Sequence, residues 1–128
     1  MAGTIVADDI QHSTAGSVGT EYVVNGSAKM WCIFNGTGTI AILDSLNAAS
    51  LTDISTGNYT VNYTNAFAGA DNYVSTMSAD ENNSTNHCRI GTLQAQAASS
   101  GRVICALASD CSTRDMARVH KVNHGDLA

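Results

Sequence analysis

The four cysteines and four histidines are the side chains of this 128-residue chain best suited to metal binding or nucleophilic chemistry. Cys105 and Cys111 have five residues between them, and His120 and His124 follow in the same region. Structural zinc sites prefer more closely spaced cysteine pairs, and a four-residue histidine spacing brings two metal ligands together only if residues 120–124 are helical. A small metal-dependent enzyme using these four residues is therefore the least favoured function. We expect no metal and no cofactor.

The remaining reactive side chains do not form a catalytic arrangement either. Cys32 and Cys105 lie in apolar, strand-like segments, where a free cysteine behaves as a small hydrophobic side chain. His87 and Cys88 are adjacent, so on a strand they point to opposite faces and cannot act as a base and nucleophile pair. The chain carries no nucleophile elbow, metalloprotease helix or phosphate-binding loop motif. The sequence predicts a protein that is not an enzyme, and it leaves the pairing state of Cys105 and Cys111 open.

One polar run is a candidate for recognition. Residues 80–86 contain no apolar side chain, and the run opens with Asp80, Glu81, Asn82 and Asn83. Their oxygens suit calcium, but the alternate spacing of a calcium loop is missing. We therefore interpret these four residues as the tip of a solvated loop, which faces either a receptor or solvent.

Composition excludes several classes of protein. Six basic residues stand against eleven acidic ones, for a net charge of −5, which disfavours nucleic-acid binding because phosphates require clustered cations. The apolar runs are too short to span a membrane. The N-terminus lacks the basic and apolar regions of a signal peptide, so we expect the chain to be made and kept in a cytoplasm, or to leave it by lysis. Only 13% of the residues are charged, and the abundant Thr, Ser, Asn and Gly disfavour helices.

The elements that position these side chains are predicted to be short antiparallel strands. Between Lys29 and Phe34 the side chains alternate between two faces, and Met30, Cys32 and Phe34 form the first apolar face. Trp31 and Ile33 form a second apolar face, so we expect this strand either to be covered on both sides or to form a subunit contact at Trp31 and Ile33. Further strands are predicted over residues 37–43, 51–54, 59–64, 72–77, 87–94 and 102–108, and residues 116–122 fit a strand or a short helix. Residues 29–128 are thus predicted to form an antiparallel, jelly-roll-like β-sandwich.

Residues 51–64 give the clearest hairpin of the chain. On its second strand Tyr59, Val61 and Tyr63 share one face, and the opposite face is polar. Aromatic side chains at this spacing suit either a sugar-stacking platform or the inward face of a hairpin. We favour the inward face.

The first 28 residues differ in character from the rest of the chain. Residues 5–7 are β-prone, residues 12–20 suggest a flexible connector, residues 21–24 suggest a short strand, and Asn25-Gly26 suggests a tight turn. This segment is acidic, whereas the last fifteen residues are mildly basic, so the two ends favour docking between neighbouring subunits. We define residues 1–28 as an N-terminal arm that attaches the domain to a neighbour.

A series of strand and turn motifs runs through the middle of the chain. Its parts are Lys29–Ile42 (KMWCIFNGTGTIAI), Asp44–Asn47, Leu51–Asp53, Thr56–Thr64 and Asn72–Tyr73. The series resembles a recurrent module of tailed-bacteriophage virion proteins, common in marine and cyanobacterial phages and described as tail-fibre-like. The resemblance covers residues 21–78, with a fainter match over residues 1–12. Met30, Cys32, Ile33 and Asn58 depart from the module without breaking its pattern.

The resemblance implies a virion structural protein, a homotrimer and a part in host attachment, with no chemistry. We expect it to contact copies of itself, other virion proteins through residues 1–28, and a host surface glycan or protein. The alternative is a capsid decoration or head-fibre protein that stabilises the shell, because an arm with a compact domain suits that role. Particles that lack such a protein would stay infectious but lose stability.

Overall fold

The computed structural model describes residues 3–80 and 89–128 of the chain. Within these ranges the chain is mostly β, with antiparallel strands and one short helix. In chain order the elements are β1 (Asp9–His12), β2 (Gly16–Gly19), α1 (Thr20–Gly26), β3 (Ala28–Asn35), β4 (Ala41–Leu46), β5 (Ala48–Ser55), β6 (Asn58–Tyr63), β7 (Tyr73–Asp80), β8 (Arg89–Ala97), β9 (Ser100–Leu107) and β10 (Arg118–Gly125). In the described part of the chain, no helix is long and apolar enough to cross a membrane.

The strands form one hairpin and two larger sheets. Strands β1 and β2 pair only with each other. The first large sheet has the order β4-β3-β10-β7, and the second has the order β5-β6-β9-β8. All of the neighbouring pairs are antiparallel. Strand β10, near the end of the chain, is thereby placed in the middle of the first sheet, next to β3.

The two large sheets share one buried core. The alternation predicted for β3 is confirmed, because Met30, Cys32 and Phe34 are fully buried while Trp31 and Ile33 are half-buried on the other face. The ring of Phe34 meets the ring of Tyr59 from the second sheet edge to face, with centroids 5.3 Å apart. Such aromatic pairs add stability beyond the area that they bury. The other fully buried apolar side chains include Val61, Phe67, Val103, Cys105, Met116 and Val119.

The predicted hairpin is confirmed as β5 and β6. Tyr59, Val61 and Tyr63 all point into the core, which agrees with the inward-face interpretation. The turn contains Gly57 at φ +68°. A side chain at this position would lie 2.6 Å from the Cys105 carbonyl oxygen. The turn therefore requires glycine both for its backbone conformation and for the close approach of the neighbouring chain.

Three predictions about the N-terminal arm are wrong. Residues 21–24 form part of helix α1, not a strand, and Gly26 ends this helix instead of forming a hairpin turn. The apolar run Tyr22–Val24 has no alternation, so its pattern fits either element, and Glu21 in the first turn favours the helix. Residues 12–20 are not an unstructured connector, because β2 pairs with β1.

Two further segments refine the prediction. The strand expected from residue 37 begins at Ala41, because the side chain of Asn35 forms hydrogen bonds with the backbone of the intervening loop. Its amide donates to the Thr37 carbonyl at 2.8 Å and its carbonyl accepts from the Thr37 backbone N–H at 3.1 Å. The segment that fitted either a strand or a helix is strand β10, and it buries Val119 and Asn123.

Candidate functional site

The outer face of the first large sheet carries an open groove of about 380 Å³. We call it the Trp31 groove. Strands β3, β10 and β7 line it side by side, and their outward side chains there are Trp31, Ile33, Thr76, Ser78, His120 and Val122.

Strand register determines the layout of the Trp31 groove. Pairing of β3 with β10 places Trp31 opposite Val122 and Ile33 opposite His120. Pairing of β3 with β4 places Leu46, which is 48% exposed, on the other side of Trp31. The two residues predicted to form a subunit contact therefore lie at the centre of a partly apolar surface.

The N-terminal arm is the second unusual surface. None of its described residues, from Gly3 onward, is buried. Eleven large hydrophobic side chains are exposed in the described chain, and seven of them belong to the arm. Ile5 and Val6 are 94% and 91% exposed, and together with α1 they line an apolar groove of about 440 Å³. Apolar surface concentrated in this way is typical of sites that contact another molecule.

The arm is tied to the domain mainly at its end. The carbonyl oxygen of Gly26 lies 2.8 Å from Nδ1 of His124 on β10. The ammonium group of Lys29 donates to the carbonyl of Val24 and to the hydroxyl of Ser27. Within the arm, the Thr20 N–H donates to the Asp8 carbonyl at 2.8 Å and closes the β1–β2 unit.

A polar cluster built on Lys121 lies between the two large sheets. Lys121 is 2% exposed, and its ammonium group donates to the hydroxyl of Ser75 at 2.9 Å. No carboxylate partner is recorded for Lys121 among residues 3–80 and 89–128. Burial lowers the pKa of Lys121 to about 8, because the charged form loses its hydration. Ser75 also donates to the side-chain carbonyl of Asn123.

The same cluster continues into the second sheet. The amide of Asn123 donates to the hydroxyl of Tyr63 at 3.0 Å, and that hydroxyl lies 3.4 Å from the hydroxyl of Tyr73. Tyr73 in turn donates to the side-chain carbonyl of Gln96 at 2.8 Å. Burial raises the pKa of Tyr63 well above its usual range. The cluster joins β7, β10, β6 and β8, so its geometry suits cross-linking of the sheets.

Asp115 forms a second link that the sequence did not indicate. Its carboxylate accepts the backbone N–H of Gly57 at 2.6 Å and lies 2.7 Å from the hydroxyl of Tyr59. Burial, and then the hydrogen bond to Asp115, raise the pKa of Tyr59. Asp115 lies in a polar stretch without periodicity, so no local pattern could have identified it.

The cysteines and histidines considered for metal chemistry are not brought together. Cys105 is buried inside the second sheet, Cys111 is exposed in a loop, and His120 faces outward from the first sheet. Over the two described ranges, no group of three or more His, Cys, Asp or Glu side chains could hold a metal ion. Cys32, Cys105 and Cys111 are free thiols. Burial raises the pKa of Cys32 to about 11 and that of Cys105 to about 12, which disfavours the reactive thiolate.

The predicted receptor-facing loop is described only at its start. Asp80 is the exposed last residue of β7. Glu81, Asn82 and Asn83 lie outside the described residues.

Comparisons with known proteins identify no relative. No family model, no curated protein and no solved structure matches this chain.

Proposed function

We propose that this chain is a virion structural protein of a tailed bacteriophage, a tail-fibre or receptor-binding module that attaches the particle to its host. In this proposal the domain is a jelly-roll-like β-sandwich, three copies form a homotrimer, and residues 1–28 anchor the trimer to other virion proteins. The bacterial host makes the chain in its cytoplasm, and the chain then becomes part of the virion.

The exposed apolar arm is the observation that carries the proposal. Seven of the eleven exposed large hydrophobic side chains in the described chain lie in the arm, yet no described arm residue is buried. An isolated chain would leave this surface in water, which favours association. Exposed apolar surface of this kind is typical of proteins that act within an assembly.

The strand order supports a jelly-roll-like sandwich. The chain passes from the first large sheet to the second between β4 and β5 and returns between β6 and β7. It crosses again between β7 and β8 and between β9 and β10. A late strand that lies beside an early one, as β10 lies beside β3, is typical of Greek-key β-sandwiches.

The polar side chains inside the domain support a structural role. The Lys121 cluster and the Asp115 link both join segments distant in sequence. Hydrogen bonds of this kind add rigidity when each buried group finds a partner. A virion protein benefits because it is not replaced once the particle has left the cell.

Host attachment is tested by binding of the purified, fluorescently labelled chain to host cells. Replacing Asp80, Glu81, Asn82 and Asn83 with glycine and serine should reduce binding at least tenfold. The matched control replaces Thr52 and Asp53, which are exposed on β5, with alanine and should bind normally. Equal binding by the loop variant and the wild type would contradict the receptor-facing loop.

A further inference from the structure

The N-terminal arm and the Trp31 groove are complementary surfaces, and both are open on the same chain. We infer that the arm of one copy docks in the Trp31 groove of the next copy. This inference rests on the proposed homotrimer and specifies which two surfaces would build it.

The arm needs a partner that its own domain does not supply. Ile5 and Val6 are more than nine-tenths exposed, and Val23 and Val24 are 41% and 54% exposed. The recorded hydrogen bonds from the arm to its own domain lie near its end, at Val24, Gly26 and Ser27. The apolar part of the arm is therefore free to reach a neighbouring copy.

The Trp31 groove offers an apolar floor for such a segment. Trp31, Ile33 and Val122 supply the floor, and Thr76 and Ser78 supply an uncharged wall. Its volume of about 380 Å³ is open to solvent along the sheet. An extended segment would fit this shape, and residues 4–7 of the arm belong to no helix or strand.

Charge favours docking of the arm on the groove over docking of one arm on another. Residues 1–28 contain Asp8, Asp9 and Glu21 but no Lys or Arg, so two arms in contact would bring like charges together. The residues that line the Trp31 groove instead include no carboxylate. Asp44 and Asp80 lie beside the groove on the edge strands β4 and β7, and Asp80 is opposite Arg118 of β10.

An arm-to-groove contact is heterologous, because it joins two different patches. Repeated by rotation, such a contact closes into a ring in which each copy gives one arm and receives one. Three copies in a ring would cover three arms and three grooves. The same geometry therefore accounts for the trimer and for the arm's exposed apolar surface.

The test uses two variants of the full chain. The first, Ile5→Glu with Val6→Glu, disables the arm. The second, Thr76→Glu with Ser78→Glu, disables the groove at two exposed strand positions. Light scattering after size-exclusion chromatography should show a trimer for the wild type and a monomer for each variant. Mixing the two variants should give a 1:1 dimer, because one intact arm meets one intact groove. Thr52→Glu, on the exposed side of β5, is the matched control and should stay trimeric.

Other results would overturn the inference. A monomeric first variant with a trimeric second variant would indicate contact between arms. The reverse pattern would indicate contact between grooves, and a mixture that stays monomeric would exclude the heterologous contact. A monomeric wild type would also overturn the inference. The virion proposal has a separate test and fails if purified particles lack the protein. Circular dichroism of each variant checks that the strands are intact.

Discussion

The hydroxyl of Tyr59 lies 2.7 Å from the carboxylate of Asp115, although 56 residues separate them in sequence. The same carboxylate accepts the backbone N–H of Gly57 at 2.6 Å. Asp115 lies in the connection between β9 and β10, and Gly57 and Tyr59 lie at the turn into β6. This relationship fixes the long connection against the second sheet before the chain enters the first sheet as β10.

Replacing Asp115 with alanine should therefore destabilise the fold. The Gly57 N–H would lose its acceptor, whereas the Tyr59 hydroxyl would keep the Gly36 carbonyl at 2.7 Å. The expected cost is roughly 1 to 3 kcal/mol in the free energy of unfolding. Urea denaturation at one fixed protein concentration measures this change. Asp53→Ala, at an exposed position on β5, should change stability by less than about 0.5 kcal/mol. Equal losses in the two variants would contradict the role given to Asp115.

Two glycines with left-handed backbone angles should respond differently to alanine. Gly57 at φ +68° would place a new side chain 2.6 Å from the backbone of Cys105 and Arg114. Gly38 at φ +60° would place one in open space. Gly38→Ala should cost about 1 kcal/mol, the strain of the backbone angle alone, and Gly57→Ala should cost several times more. Thermal unfolding of both variants makes the comparison, and similar melting temperatures would contradict it.

The burial of Lys121 predicts a specific dependence of stability on pH. The folded-state pKa of about 8 lies below the ordinary value of 10.5, so between these values the unfolded state binds more protons. The contribution of Lys121 to the free energy of unfolding therefore rises by roughly 2 to 3 kcal/mol as the pH rises from 8 to 10.5. Below pH 8 the full cost of burying the charge remains.

The variant Lys121→Met isolates this effect. Its free energy of unfolding relative to the wild type should fall across the window from pH 8 to 10.5, because only the wild type gains stability from losing the lysine proton. Raised pKa values at Cys32 and Cys105 act in the opposite direction, but they are common to both proteins and cancel in the difference. A difference that stays constant with pH would show that Lys121 is not buried as a charge.

Trp31 provides an optical test of groove occupation, because it is the only tryptophan in the chain. If the groove is covered in the assembly, Trp31 emission should shift to shorter wavelength as protein concentration increases. The arm variant Ile5→Glu with Val6→Glu should keep the long-wavelength emission at every concentration. Wild-type emission that equals the emission of the arm variant, in a wild type shown to be trimeric, would place the subunit contact elsewhere.

The sequence predicted the elements with a clear period of two. Strand β3 shows apolar side chains at every second position, and in β6 the polar and apolar faces are separated. A residue that alternates between core and solvent leaves this pattern in the sequence. The two residues singled out on β3, Trp31 and Ile33, lie in the Trp31 groove for the same reason.

The features that the sequence did not predict depend on contacts distant along the chain. Helix α1 contains three consecutive apolar residues, which carry no period. Lys121 is buried although lysine is usually exposed, and its partner Ser75 is 46 residues away. Asp115 is similar, since its role follows from the position of Gly57 and Tyr59 in the folded domain. Such pairings depend on sheet topology, which a single sequence does not reveal.

The most direct test of the proposed function is immunogold electron microscopy with an antibody against this chain. The antibody is applied to intact particles of the phage that encodes the chain. The proposal predicts gold on the tail or its fibres. Gold spread over the capsid faces would contradict the tail-fibre assignment and support the decoration alternative. Particles without gold, from a lysate in which the antibody detects the chain, would contradict a virion role altogether.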